Sequence, residues 1–160
     1  MNSSANFQSP EQRLRDLAIV LPQAPKPLGA YIETVQCGRL LFLSGTLPTE
    51  GGTPRYFGRI GDNLTIEDGR EAARLAALNA LALARAHLNS LDRIKRLVRL
   101  GVSLVATESF REHPIVADGA SELMIAVFGE ERMSTRLVLG MHSLPLGLCI
   151  ELEVILEIDE

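Results

Sequence analysis

The last strand-like segment of the chain limits the possible folds more than any other feature. From residue 150 to 158, apolar residues alternate with glutamates and one isoleucine, a period of two that is typical of a β-strand with one buried face. The buried positions would be Ile150, Leu152, Val154, Leu156 and Ile158, and the other face would carry Glu151, Glu153, Ile155 and Glu157. A half-polar second face either stays open to water or meets another copy of the chain.

Two helical segments are available to cover the first face. Thr65 and Asp68 form a capping signal for the longer helix, which we predict to run to about residue 91. The second helix is predicted at residues 115–128, with Gly129 as a suitable stop. The apolar positions of the longer helix form one stripe and are mostly alanine, so it can lie close to a sheet: Ala73, Ala76, Ala77, Ala80, Leu81, Ala84 and Leu88. Two helices can cover only one face of the sheet.

The remaining segments supply the strands. Residues 31–37 and 40–44 surround Gly38 and Arg39, which predicts a hairpin. Further strands are predicted at residues 94–106, 135–142 and 148–158, with a short edge strand at 55–60 and a loop at 45–54. A short helix is expected at residues 10–17, because Ser9 and Pro10 provide an N-cap and a first-turn proline. The order predicts an α+β fold with a mixed sheet of five to six strands, two helices on one face and a short N-terminal helix.

Composition excludes several classes of function. The chain has 160 residues, which favours one domain, and its formal net charge of −4 at pH 7 argues against nucleic-acid binding. No apolar run is long enough to span a membrane and no export signal is present, so we expect a cytoplasmic protein without membrane association. Cys37 and Cys149 lie far apart and no histidine has a partner at ligand spacing, so we predict no metal. No glycine-rich nucleotide motif occurs, and we predict no cofactor.

Several motifs, taken in order, are similar to those of one family. They are Ala24-Pro-Lys-Pro-Leu-Gly-Ala-Tyr31, Gly38-Arg-Leu-Leu-Phe-Leu-Ser-Gly45, Asp118-Gly-Ala-Ser-Glu-Leu123 and the tail from Thr135-Arg136 through Leu144-Pro145 to Glu153. The chain resembles the Rid (reactive intermediate deaminase, or YjgF-like) family over residues 22–158, in a longer subgroup. Residues 1–21 would then be an N-terminal extension and residues 22–160 a single Rid/YjgF-like domain.

The resemblance implies a chorismate mutase-like fold and a homotrimer with ligand clefts between neighbouring subunits. It also implies cofactor-free hydrolysis of reactive enamine or imine acids to 2-oxo acids and ammonia. The alternative is a trimer that binds small carboxylates without turnover. The family's older ribonuclease label fits poorly with a net charge of −4 and only seven aromatic residues, five Phe and two Tyr.

Five residues match family positions that line the cleft. Arg136 would bind the substrate carboxylate, since a guanidinium recognises a carboxylate through two hydrogen bonds, and its alternative is a structural ion pair. Glu151 would position water or move protons, and otherwise is an outward strand residue. Tyr31 would hydrogen-bond the ligand or water, and otherwise is an ordinary aromatic residue of a strand. Ser44 and Gly45 would lie near the substrate.

Strand alternation places Arg136 on the same side as Val138 and Gly140. We predict that the opposite, apolar side of this strand, which carries Leu137, Leu139 and Met141, faces the core.

One departure from the family pattern concerns the chemistry. Many active members have a cysteine two residues after the arginine, where this chain has Val138. Cys149 is expected to pack in the core or at an interface, so no cysteine nucleophile is predicted. The departure leaves the substrate open, and the role of the N-terminal helix is also open.

Overall fold

A five-stranded sheet forms the centre of the computed structural model, which describes residues 8–159. Residues 1–7 of the predicted N-terminal extension lie outside this range. In the described range the helices are α1 (Pro10–Asp16), α2 (Ile66–Leu88) and α3 (His113–Phe128), and the strands are β1 (Thr34–Cys37), β2 (Leu40–Leu43), β3 (Thr49–Glu50), β4 (Thr53–Pro54), β5 (Ile94–Val105), β6 (Thr135–Met141) and β7 (Ile150–Ile158).

The strand order in the sheet is β1-β2-β7-β5-β6. Only β5 and β6 pair in parallel, joined by the crossover helix α3, and the other neighbours are antiparallel. The sheet is therefore mixed, as predicted. In the register, Ser103 of β5 lies between Glu151 of β7 and Leu139 of β6, so these three residues share one face.

The helices α2 and α3 cover one face and close the core. All five predicted inward residues of β7 are buried, which confirms the alternation. The predicted stripe of α2 is buried as well, from Ala73 to Leu88. Gly119 of α3 lies so close to α2 that a side chain there would collide with the backbone of Arg70. Small residues thus set the spacing between the two helices.

The helix ends follow the capping chemistry. Thr65 accepts a hydrogen bond from the Asp68 backbone N–H, and the Asp68 carboxylate accepts one from Thr65, which lowers the pKa of Asp68. The helix ends at Leu88, before the predicted residue 91, because Asn89 adopts a left-handed conformation with φ of 66°. The helix α3 begins at His113, two residues before the predicted start.

The N-terminal helix docks on the rest of the domain. Leu14 of α1 is buried, and the Glu11 carboxylate accepts a hydrogen bond from the Leu91 backbone N–H at 3.0 Å. The same carboxylate lies 3.5 Å from the guanidinium of Arg85. This helix therefore belongs to the folded domain.

The segment between β2 and α2 differs from the prediction. Residues 55–60 form no strand and make only isolated bridges at Phe57 and Ile60. The predicted loop instead contains the hairpin β3-β4, which turns at Gly51 and Gly52 with φ of 58° and 82°. Glycines adopt these positive φ angles without strain, so the two-residue turn is favourable.

Within residues 8–159, no helix covers the second face of the sheet, which we call the open face. It exposes apolar residues beside the charged pairs Arg99–Glu153 and Arg39–Glu157. The exposed apolar residues on its strands include Val35, Leu40, Phe42, Leu137, Leu139 and Met141.

The prediction for β6 is wrong in one respect. Leu137, Leu139 and Met141 lie on the open face, where they are 44%, 47% and 39% exposed, and not against the core. The Arg136 side of this strand packs towards α3 instead. No helix in the described part of the chain is both long and apolar enough to cross a membrane.

Candidate functional site

A cavity of about 400 Å³ lies between three walls, which are an N-terminal arm at residues 21–28, the segment that follows β2, and α2. Pro25 and Pro27 keep this arm extended, and Leu21 and Ala24 anchor it on the core. Three of the five predicted site residues line this cavity, namely Tyr31, Ser44 and Gly45. The structure therefore brings Tyr31 together with two adjacent residues that follow it by 13 and 14 positions in the sequence.

Tyr31 is held in place by its own hydroxyl group. The Leu28 backbone N–H donates a hydrogen bond to the Tyr31 Oη at 3.0 Å. Because the oxygen accepts this bond, the phenolic proton stays available to a ligand or water in the cavity. The side chain is about half exposed, as expected for a residue on a cavity wall.

The far wall depends on Asn79, a residue that the sequence analysis did not assign. Asn79 is buried on α2, and its amide donates hydrogen bonds to the carbonyls of Leu47 and Thr49 at 2.8 and 2.9 Å. These bonds tie the segment after β2 to the helix. An amide within a stripe of alanines was the available signal, since a buried polar side chain needs hydrogen-bond partners.

Glu151 lies beside Gly45 at the edge of the same region. A side chain at position 45 would collide with the Glu151 carboxyl group, so the glycine lets this carboxyl group lie against the backbone. Glu151 is on the open face of β7 and does not line the cavity itself. Burial raises the pKa of its carboxyl group above the usual value of 4.5. A carboxyl group with a raised pKa can exchange a proton at a pH nearer neutrality.

Arg136 lies at the opposite edge of the sheet, on β6. Its Nη1 donates hydrogen bonds to Asp118 Oδ1 at 2.6 Å and to Ser121 Oγ at 3.0 Å, both on α3. The side chain is only 26% exposed, so these partners compensate its partial burial. The Asp118–Ser121 motif is visible in the sequence, but the sequence pattern does not predict this contact.

The predicted site is thus divided into two groups within one chain. The cavity group consists of Tyr31, Ser44, Gly45 and Glu151, and the arginine group consists of Arg136, Asp118 and Ser121. The strands β7 and β5 separate β2 from β6. In addition, Glu151 is on the open face and Arg136 is on the helix-covered face. One subunit alone does not bring the two groups together.

Neither Cys149 nor the residue at the position of the family cysteine is suited to nucleophilic chemistry at this site. Cys149 is buried, as predicted, and burial raises the pKa of its thiol to about 12. Val138, at the position of the family cysteine, packs against the core. Within residues 8–159, no three His, Cys, Asp or Glu side chains cluster in a way that could hold a metal ion.

Comparison with known proteins gives consistent matches over almost the whole chain. Residues 11–157 match the model of the YjgF/chorismate mutase-like family, whose description includes endoribonucleases. The protein TCP17 of Trypanosoma cruzi is 38% identical over 147 residues, covering 91% of this chain and 92% of TCP17.

Two solved structures extend the comparison. The structure of Atu1372 from Agrobacterium tumefaciens is similar at 36% identity with a TM-score of 0.86, covering 94% of this chain and 92% of that one. RidA from the Antarctic bacterium Psychrobacter sp. shares the fold at 23% identity with a TM-score of 0.61, covering 85% of this chain and 94% of its own. These matches confirm the chorismate mutase-like α+β fold.

Proposed function

Because the chain belongs to the YjgF/chorismate mutase-like family, we propose that it hydrolyses reactive 2-imino acids, or their enamine forms, to 2-oxo acids and ammonia. The reaction would take place without a cofactor, in a cleft between subunits of a homotrimer. The observation that carries the proposal is the division of the site, because the arginine group lies on the edge strand β6 and α3, whereas the cavity group lies near β2 and the central strand β7. A cleft between two copies would complete the site from both groups.

The open face supports assembly. It places the exposed side chains of Phe42, Leu137 and Leu139 on a sheet surface that neither α2 nor α3 covers. Exposed apolar patches with charged residues among them are typical of subunit interfaces. A closed trimer would bury the open face of each of its three subunits against the neighbouring subunits.

The proposed reaction uses water as the nucleophile. Arg136 would hold the substrate carboxylate by two hydrogen bonds and place the imine carbon in the cleft. Starting from the protonated imine, Glu151 would take a proton from a water molecule as the oxygen attacks this carbon, which gives a neutral carbinolamine. Glu151 would then return this proton to nitrogen. As the C–N bond breaks and ammonia leaves, the hydroxyl group would become the carbonyl of the 2-oxo acid, and its proton would pass to the Glu151 carboxylate and then to solvent. Tyr31 would donate a hydrogen bond to the water or to the ligand.

The properties of Val138, at the position of the family cysteine, and of Cys149 agree with attack by water. Val138 offers no nucleophile, and Cys149 remains a thiol at neutral pH because its pKa is about 12. Glu151 is the only half-buried carboxyl group beside the cavity whose pKa is raised among the described residues. These observations support Glu151 as the proton-transfer group.

A second function, carboxylate binding without turnover, has one observation in its favour. Arg136 and Glu151 lie on opposite faces of the sheet, so an anion can meet the arginine without meeting the glutamate. The two functions share Arg136 and differ in whether Glu151 is needed for the observed activity.

Calorimetry with benzoate tests the shared step. Charged hydrogen bonds are worth about 1.5 to 3 kcal/mol, so we expect Arg136→Ala to weaken binding at least about tenfold. Arg99→Ala is the matched control, because Arg99 is an arginine of the neighbouring strand that pairs with Glu153 on the open face. Unchanged affinity in Arg136→Ala would assign Arg136 to a structural ion pair and contradict the proposal.

Turnover of imino acids separates the two functions. Imino acids can be generated in the assay from several amino acids by an amino-acid oxidase, and the release of 2-oxo acid or ammonia is then followed. Acceleration by the wild-type protein supports the deaminase. Tight benzoate binding with no acceleration for any imino acid favours the binding protein.

A further inference from the structure

The contacts of Arg136 use only one corner of its guanidinium group. Nη1 carries two N–H bonds, and they are directed to Asp118 Oδ1 and Ser121 Oγ, at 2.6 and 3.0 Å. The Nε–H and the Nη2 group of Arg136 have no hydrogen-bond partner within residues 8–159. These two groups form one edge of the guanidinium, and this edge is a geometry that binds a carboxylate through two parallel bonds.

The two partners are fixed by a rigid helix. Asp118 and Ser121 are three positions apart on α3, so they lie on the same side of it. Ser121 is 8% exposed, and its neighbours Ala117 and Ala120 are fully buried. Between them, Gly119 is in close contact with the backbone of Arg70, which fixes the position of α3 against α2. Side chains on such an element change position little when a ligand binds.

We propose that Asp118 and Ser121 are positioning residues for Arg136, which orient its free Nε–Nη2 edge towards a ligand carboxylate. This inference rests on the proposed function, because it specifies how the same carboxylate site is prepared. A free arginine side chain has many rotamers, and fixing it before binding removes part of the entropy cost of binding. The two side chains on α3 act through Arg136 and do not touch the ligand.

Asp118 also adds a negative charge beside the arginine, and this charge opposes the binding of an anion. Removal of Asp118 therefore has two effects of opposite sign, the loss of a hydrogen bond and the loss of a repulsive charge. Two uncharged variants at position 118 separate the effect of the hydrogen bond from the effect of the charge. Asp118→Asn keeps an acceptor oxygen for Nη1, whereas Asp118→Ala removes the acceptor.

The test compares benzoate affinities by calorimetry in the full-length protein. We expect Asp118→Ala to bind about fivefold more weakly than Asp118→Asn, the change that corresponds to one hydrogen bond. Ser121→Ala should weaken binding by a few fold relative to wild type for the same reason. In the turnover assay, KM should rise from Asp118→Asn to Asp118→Ala while kcat changes little, since positioning acts on binding of the carboxylate.

Glu122→Ala is the matched control. Glu122 is the next residue on α3 after Ser121, forms an ion pair with Arg70 at 2.7 Å and makes no hydrogen bond to Arg136 within the described residues. Its loss removes an arginine–carboxylate pair from the same helix and should leave benzoate affinity unchanged. Melting temperatures of all four variants identify any effect that arises from a general loss of stability.

The outcomes separate this inference from the proposed function. If Arg136→Ala leaves benzoate binding unchanged, the proposed function itself fails. If Arg136→Ala abolishes binding but Asp118→Ala and Asp118→Asn have equal affinities, the positioning role is overturned and the carboxylate site stands. A loss of affinity in Glu122→Ala as large as that in Asp118→Ala would also overturn it, because the effect would then belong to the helix as a whole.

Discussion

The two faces of the central sheet are made by the same strands and differ in what they contain. On the face beneath α2 and α3, residues such as Leu100 are completely buried, and one ion pair at the edge joins Arg136 to Asp118. On the open face, Leu139 of the neighbouring strand is 47% exposed, and ion pairs lie between apolar side chains. The first face accounts for folding of the subunit. The second has the composition of a surface that meets another copy.

This contrast explains which features of the fold could be predicted. The alternation of β7 and the alanine stripe of α2 are local patterns, and the structure confirms both. The predicted orientation of β6 is wrong, because the prediction places the apolar side of this strand, Leu137, Leu139 and Met141, in the core, whereas these residues are exposed. The rule that apolar residues face inward fails where the outer face is also apolar. Only the packing of α3 decides between the two sides.

The candidate site shows the same limit. Tyr31, Ser44 and Gly45 were identified from motifs, and they do line one cavity. The contact between Arg136 and Asp118 joins residues 18 positions apart on a helix and a strand, and no local pattern encodes their approach. The hairpin β3-β4 was missed for a different reason. Its Gly51-Gly52 turn signal was present, but Pro54 made the segment resemble a loop.

The largest expected effect comes from placing the same charge on each face. Val102→Asp lies between Val138 and Leu152 on the covered face, so it buries a carboxylate without a cation beside it. This costs several kcal/mol of a total stability of about 5 to 15 kcal/mol and should prevent folding. Leu139→Asp should keep the circular dichroism spectrum of the folded chain but lower its mass in light scattering towards the 17.4 kDa monomer. A trimer that survives Leu139→Asp would contradict the role of the open face in assembly.

A substitution of one glutamate on the open face should have the next largest effect. Glu151→Gln retains the shape of the side chain and loses its proton-transfer group, so turnover should fall about a hundredfold while benzoate affinity is kept. Glu153→Gln is the matched control, two residues along the same strand and paired with Arg99. Equal turnover in the wild type and Glu151→Gln would remove Glu151 from the mechanism.

Substitutions of two glycines, Gly45 beside the cavity and Gly119 on α3, should have smaller effects. At Gly45 an added methyl group meets only the movable end of the Glu151 side chain, whereas at Gly119 it meets the backbone of Arg70. Gly119→Ala should therefore destabilise the fold by about 1 to 3 kcal/mol, and Gly45→Ala by less than about 1 kcal/mol. Gly45→Ala should nevertheless lower turnover, because it displaces the carboxyl group. Thermal unfolding and initial rates distinguish the two variants, and similar losses of stability in both would contradict this assignment.

The smallest expected effect concerns pH. In the unfolded chain the Glu151 carboxyl group has its usual pKa of 4.5, and burial raises this pKa in the folded chain. At a pH between the unfolded-state pKa and the folded-state pKa, the folded state therefore binds more protons than the unfolded state. Stability contributed at this position is therefore present at low pH and falls as the pH rises through that window. The melting temperature of Glu151→Gln should increase relative to that of the wild type as the pH rises above 4.5. Parallel curves for the two proteins would show that Glu151 titrates normally.

The central claim is that two subunits complete each site, and mixing of inactive subunits tests it most directly. Arg136→Ala and Glu151→Gln chains are unfolded together, refolded as mixed trimers and assayed for imino-acid turnover. If the arginine and cavity groups of one site come from different subunits, random mixing restores about a quarter of the wild-type rate, because that share of sites receives both intact residues. If both groups of a site come from the same subunit, each site in a mixed trimer still lacks one residue. The rate would then stay at the level of the separate variants, and the shared cleft would be contradicted.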